Sequence, residues 1–177
     1  MLKAAIFDWD GVIVDTVEIQ YNWFKHCCKH FNKEYPFANV EEMKSNIKEP
    51  FPRMFEEFGF DWEEDREDIS HLFHQYMKKQ NVPIKSGMRD VLADLKGSDY
   101  RLGIVSSNRE KIIREKLEGH DLGKYFDAVV GHQGRDEHLK PSPKMIEFCL
   151  EKIDLGPEDV VYIGDQPTDI EAAKRAE

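Results

Sequence analysis

Two aspartates separated by one residue, Asp8 and Asp10, close the short apolar run Ala5-Ile6-Phe7, and Gly11 follows them at once. In an extended chain residues two apart point to one side, so these carboxylates would face one space. Their repulsion would keep one of them protonated unless a cation lies between them. A hard ion such as Mg²⁺ takes carboxylate oxygens and would leave one aspartate free to attack and the other free to move a proton. Three further clusters fit such a site. Ser106-Ser107-Asn108 precedes a helical pattern, so the Ser106 hydroxyl and the amides of the helix start could hold an oxyanion; Asn108 would equally serve as the helix cap. Lys140 stands before Pro141, which biases it to an extended backbone, and Ser142-Pro143 offers N-cap and N1 for the next helix. Asp165 would complete a cation site with Asp8, and Asp169 could add to it or orient a ligand. A nucleophile, a cation site, an anion cradle and an ammonium group together make up a phosphoryl-transfer site.

The elements needed to position these groups are legible in the chain. Lys3 to Phe7 reads as a buried strand. From about Val17 the pattern is helical, with Ile19, Trp23, Cys27 and His30 on one stripe broadened by Tyr21, Phe24, Cys28 and Phe31, a face that must pack against something. His26 and His30 lie at i and i+4, but no further ligand pattern accompanies them, so a helix face at a packing boundary is expected there, not zinc. From about Pro36 to Val82 the sequence is helical and polar, broken at Glu49-Pro-Phe-Pro52, and the acidic run Glu63 to Asp68 suits a helix start. After Pro83 strands alternate with helices: helix Gly87–Lys96, strand Arg101–Val105, helix Arg109–Leu117, strand Asp127–Gly131, helix Lys144–Ile153, strand Asp159–Gly164, and a last helix from about Thr168. Such alternation implies a parallel sheet covered on both faces, with chemistry at the carboxyl ends of its strands. All four clusters fall at or between those ends.

Composition narrows the class. The 177 residues suit one domain, or a domain with a smaller one inserted. Apolar residues make up 40% and charged residues 34%, as in a soluble globular protein. No apolar run reaches the roughly 18 residues of a membrane span, and the N-terminus meets a charge too early for a secretory signal. The formal charge of −10 argues against nucleic acid as the main partner, while a local cluster can still hold a small anion. Cys27, Cys28 and Cys149 form no disulfide framework, which fits a reducing, cytoplasmic setting.

Four ordered blocks, Asp8-Trp-Asp10-Gly-Val-Ile-Val-Asp15-Thr16, Ser106-Ser-Asn108, Lys140-Pro-Ser-Pro143 and Gly164-Asp165-Gln-Pro-Thr-Asp169, give the chain a pattern that resembles the capped phosphatase branch of the haloacid dehalogenase-like superfamily. The resemblance implies an α/β fold: a Rossmann-like parallel sheet with helices on both faces and a helical cap domain inserted after the first strand. The catalytic core would comprise residues 1–15 and 84–177, and the cap residues 16–83. It further implies that Asp8 is a nucleophile forming an aspartyl-phosphate and that Asp10 is the general acid, then base. Mg²⁺ would be held by Asp8, Asp10 through its backbone carbonyl, and Asp165, with Asp169 nearby. Ser106 and Lys140 would bind phosphoryl oxygens, helped by Trp9, Ser107 and Asn108.

Related dehalogenases and phosphonatases lack an aspartate at the position of Asp10, so the resemblance favours a small phosphate ester as substrate, phosphoglycolate-like or a sugar phosphate. The same residues would serve a sugar phosphomutase of β-phosphoglucomutase type, for which Lys44, Lys48 or Arg53 could supply a second phosphate pocket. A third reading is a non-catalytic phospho-ligand binder, against which the intact Asp8, Asp10, Lys140 and Asp165 argue, since a binder has no need of a paired nucleophile and acid. Two departures from the family pattern are expected to matter. The chain stops at Glu177, before a further edge strand and helix, and Lys48-Glu-Pro50 replaces a segment that often carries glycine before the proline.

Overall fold

The computed structural model describes residues 2–46 and 51–177. In chain order the elements are β1 (Ala4–Phe7), α1 (Val17–His30), α2 (Val40–Asn46), α3 (Phe51–Glu57), α4 (Trp62–Lys79), α5 (Met88–Gly97), β2 (Arg101–Arg109), α6 (Glu110–Gly119), β3 (Ala128–His132), α7 (Lys144–Ile153), β4 (Val160–Ile163) and α8 (Pro167–Arg175). The chain separates into two compact units, Met1–Asp15 with Pro83–Glu177, and Thr16–Val82.

The first unit is an α/β sheet of four parallel strands in the order β3-β2-β1-β4. Its register aligns the strand ends: Phe7 lies opposite Ile104 on one side and Ile163 on the other. Residues just beyond those three positions therefore emerge together. One face of the sheet, with Ala4, Ile6, Val105, Ala128 and Val130, packs on Met145, Ile146, Cys149, Leu150 and Ile153 of α7 and Ala172 of α8. The alternate residues Ala5, Phe7, Leu102 and Ile104 are also buried, and α5 and α6 pack against β2 and β3. Helices thus cover both faces over β1, β2 and β3, whose apolar runs read as they do because each side is buried; on the edge strand β4, Val161 and Ile163 are exposed.

The second unit is built of α1 to α4 and, among the described residues, contains no strand. Trp23, Phe24, Cys27 and Cys28 of α1 form its core with Phe37, Met43, Met54, Phe55, Phe60 and Ile69. Trp23 meets Phe55 and Phe73 edge-on at 5.7 and 4.9 Å between ring centroids, an arrangement favoured by the ring quadrupoles. The buried stripe is narrower than the sequence pattern: Ile19, Tyr21 and Phe31 are only partly covered, and His30 is exposed. His26 is exposed too and stacks on Tyr76. Neither histidine belongs to a group that could hold a metal among the described residues. The acidic run opens α4, where Asp61 accepts from the amides of Glu63 and Glu64. Lys48-Glu-Pro50 lies outside the described residues.

Candidate active site

The chain places Asp8 by ending β1 one residue earlier. The Asp8 amide donates to the Ile163 carbonyl at 2.8 Å, so the residue is still tied to the sheet, and only 3% of it is exposed. Its Oδ1 accepts from the Trp9 amide at 2.7 Å. The chain then folds back: the Ile13 and Val14 amides donate to the Trp9 carbonyl, and the Gly11 amide to that of Val14. Gly11 has φ of +77°, and a Cβ there would lie 2.1 Å from Asp165 Oδ2. Glycine serves twice here, allowing the left-handed turn and leaving room for the Asp165 carboxylate. Gly11→Ala is therefore expected to displace Asp165 and to cost at least about 1–2 kcal/mol from the backbone alone, a drop of several degrees in Tm, checked by thermal unfolding.

Lys140 is the centre of the site. It is fully buried, with Nζ 3.1 Å from Asp8 Oδ1 and 2.6 Å from Asp169 Oδ1. Its loop is pinned by the Ser142 amide donating to the Leu139 carbonyl. Because Ser142 is taken up in that turn, α7 begins at Lys144 with Pro143 as its cap and no side-chain capping bond, one residue later than the Ser142-Pro143 pattern suggests. Asp169 is fixed by the start of α8. Gln166 caps that helix, Pro167 occupies its first turn, and the Gln166 amide donates to Asp169 Oδ2 at 3.0 Å, a capping box formed by an aspartate at the third helical position. A Cβ on Gly164 would lie 2.3 Å from the Asp169 carboxylate, so that glycine, too, makes room for the site.

Ser106, Ser107 and Asn108 behave differently from a simple helix cap. β2 runs on to Arg109, and its pairing with β3 is irregular between Ser106 and Arg109. The Asn108 amide donates to Ser106 Oγ at 3.1 Å, and Asn108 Oδ1 accepts from the Arg109 amide. These local bonds compete with the ladder and bend the strand end. The cap position of α6 falls on Arg109, not on Asn108. The Asn108 side chain instead reaches across to β1 and donates to Asp10 Oδ2 at 3.1 Å. Ser106 is buried, and Ser107 Oγ is a buried hydroxyl with no hydrogen-bond partner among the described residues.

Oxygens of Asp8, Asp165 and Asp169 lie within 4.8 Å of one another. Three carboxylates with a single buried ammonium between two of them form an all-oxygen, electron-rich donor set, which suits a hard divalent cation. The Asp10 side chain stands outside this group and is engaged by Asn108. Both oxygens of Asp169 already accept hydrogen bonds, which fits an orienting part better than direct ligation.

Tyr162 was not singled out by the sequence pattern. Its hydroxyl lies 3.1 Å from Asp169 Oδ1 and 3.1 Å from the Val105 carbonyl, and burial pushes its phenol far above the usual range, so it acts as a donor. A hydroxyl two residues before Gly164, on the core-facing side of an otherwise apolar strand, was the available signal.

Comparison with known proteins places the site in context. Residues 5–177 match the family described as haloacid dehalogenase-like hydrolase. The chain is 28% identical to the phosphorylated carbohydrates phosphatase of Thermotoga maritima, over 99% of this chain and 82% of that protein. It is also 28% identical to pyrophosphatase PpaX of Listeria innocua, over 99% of this chain and 80% of that protein. Among solved structures, CbbY from Rhodobacter sphaeroides in complex with phosphate superposes with a TM-score of 0.79 at 21% identity, covering 99% of this chain and 83% of that one.

Proposed function

The chain belongs to the haloacid dehalogenase-like hydrolase family, and from that premise we propose that it is a Mg²⁺-dependent phosphatase of small phosphorylated compounds. The observation that carries this reading is the Lys140 ammonium buried between Asp8 and Asp169 with Asp165 beside them. An aspartate so placed is a nucleophile whose orientation is already set.

In the proposed reaction one Asp8 carboxylate oxygen attacks phosphorus. A bond from Asp8 to phosphorus forms as the ester bond breaks, and Asp10 gives its proton to the departing oxygen. Water then attacks the aspartyl-phosphate, Asp10 takes its proton, and phosphate leaves with Asp8 restored. Asn108 orients Asp10 for both transfers. Ser106 with the amides of Trp9 and Ser107 holds the phosphoryl oxygens, and Lys140 balances charge on Asp8. Asp8, Asp165 and the Asp10 backbone carbonyl would hold Mg²⁺, which when bound supplies positive charge against the phosphoryl oxygens. Residues 1–15 and 83–177 form the catalytic core in this reading, and the helical unit acts as a cap that selects the substrate.

The named activities of the relatives support phosphate release from phosphorylated carbohydrates or pyrophosphate, and phosphoglycolate-like esters rest on the sequence resemblance alone. A mutase needs a second phosphate pocket. Lys44 is exposed, and Arg53 is exposed and paired with Glu57, as solvated surface charges would be; Lys48 lies outside the described residues. Three unpaired cysteines accord with a cytoplasmic setting. The test is phosphate release from a set of these compounds, with Mg²⁺ and with chelator. Release that requires the metal supports the proposal, and release undiminished by chelator contradicts it.

A further inference from the structure

We propose that Tyr162 is a positioning residue of this site: its hydroxyl fixes the Asp169 carboxylate, which in turn holds the Lys140 ammonium against Asp8. The proposal rests on the phosphatase reading for its catalytic consequence, but its physical basis is separate from it. Asp169 is bonded from three directions, by Lys140 Nζ at 2.6 Å and Tyr162 Oη at 3.1 Å on Oδ1, and by the Gln166 amide at 3.0 Å on Oδ2. The terminal torsion of an aspartate is broad. With the amide alone on one oxygen, the carboxylate could still rock and carry Lys140 with it.

The hydroxyl removes that freedom. Its other neighbour is the Val105 carbonyl of β2 at 3.1 Å, and the hydroxyl's single proton goes to one of these two acceptors at a time. The carboxylate is the stronger of the two acceptors. Tyr162 and Asp169 also line a half-open pocket of about 300 Å³, with Ile6, Ile146, Leu150 and Val160 on its apolar side and Lys174 and Glu177 among its other walls. Asp169 is buried and the Tyr162 ring packs on the apolar core, surroundings that strengthen a hydrogen bond and raise the cost of leaving it unmade. Asp8, Lys140, Asp169 and Tyr162 therefore form one chain of contacts from the strand end into the core.

Tyr162→Phe removes the hydroxyl and keeps the ring. The expected result is a kcat for phosphate release lowered about tenfold with KM within twofold, because positioning acts on the reacting group and not on substrate capture. In an Asp169→Ala background the same change should lower kcat no further, since the acceptor through which it acts is gone. A kcat within twofold of the parent, or full additivity with Asp169→Ala, would overturn the proposal. Unfolding equilibria provide a readout independent of catalysis. Tyr162→Phe and Lys140→Met should be coupled by at least about fivefold in the unfolding constant of the double variant. If the parent releases no phosphate, the function proposed above fails, and the unfolding cycle still decides this point: coupling sustains the positional chain, and strict additivity removes it.

Discussion

Asp8→Asn is expected to lower kcat for phosphate release by about 10⁴- to 10⁶-fold, the scale of loss when one member of a catalytic set is removed and the rest of the site is kept. The amide is nearly isosteric, and its oxygen can still accept from the Trp9 amide as Asp8 Oδ1 does. The fold should survive for a further reason. Asp8 and Asp169 share one buried ammonium, and the Asp165 carboxylate lies close to both, so neutralising Asp8 weakens an ion pair but also relieves its repulsion with the other two. These effects oppose one another, and Tm without divalent cation should move by only a few degrees. Steady-state phosphate release and thermal unfolding of the variant beside the parent check both halves. Substantial residual turnover would mean that some group other than Asp8 attacks phosphorus.

Lys140→Met acts on stability as well as on chemistry. The lysine is fully buried, and its ammonium lies within 3.1 Å of Asp8 and 2.6 Å of Asp169. Methionine fills much of the same volume without charge, leaving two buried carboxylates that no longer share a cation. Breaking a buried pair in this way costs about 3–5 kcal/mol, or roughly 6–20 °C in Tm for a chain of this size. Added Mg²⁺ should recover part of that loss, because a ligand that binds only the folded state stabilises it. Phosphate release should fall with it, since Asp8 loses both its charge balance and its fixed orientation. Lys140→Arg is not expected to rescue either property, because a site with no exposed surface has no room for the larger planar head group. Thermal unfolding with and without Mg²⁺, together with turnover, measures these effects.

Much of this site is legible in the sequence because strand ends concentrate chemistry. Asp8, Ser106 and Asp165 each follow an apolar run, and the parallel register that sets Phe7 opposite Ile104 and Ile163 makes those three run-ends neighbours. β1, β3 and the first half of β2 are recognisable because burial on both faces leaves them apolar, and β4 by an apolar run of which Val161 and Ile163 are exposed. α7 falls on Lys144–Ile153 as its spacing indicates, and the other elements agree to within a few residues at their ends.

The contacts that hold the site together were not legible. Asn108 looks like a cap because its type suits one, yet its side chain reaches Asp10, 98 residues away in sequence. No local pattern encodes a bond of that range. β2 extends past Val105 because Ser106 Oγ and Asn108 Oδ1 satisfy the amides of a bent strand end, a use of those side chains that residue type alone does not separate from a helix start. Tyr162 was hidden in a run of apolar residues, where an aromatic ring is expected for packing and its hydroxyl goes unnoticed. Asp169 could be read as a ligand or an orienter from sequence, and the three donors on its two oxygens favour the second.

The most direct test of a nucleophilic Asp8 is to trap the intermediate. The parent protein, turning over a reactive phosphate ester with Mg²⁺, would be quenched in acid and its peptides mapped by mass spectrometry. The account predicts a phosphoryl group on the peptide containing Asp8, on that aspartate and not on Asp10, and its loss in Asp8→Asn. Turnover with no phosphorylated peptide at any quench time, or a phosphoryl group on another residue, would contradict it.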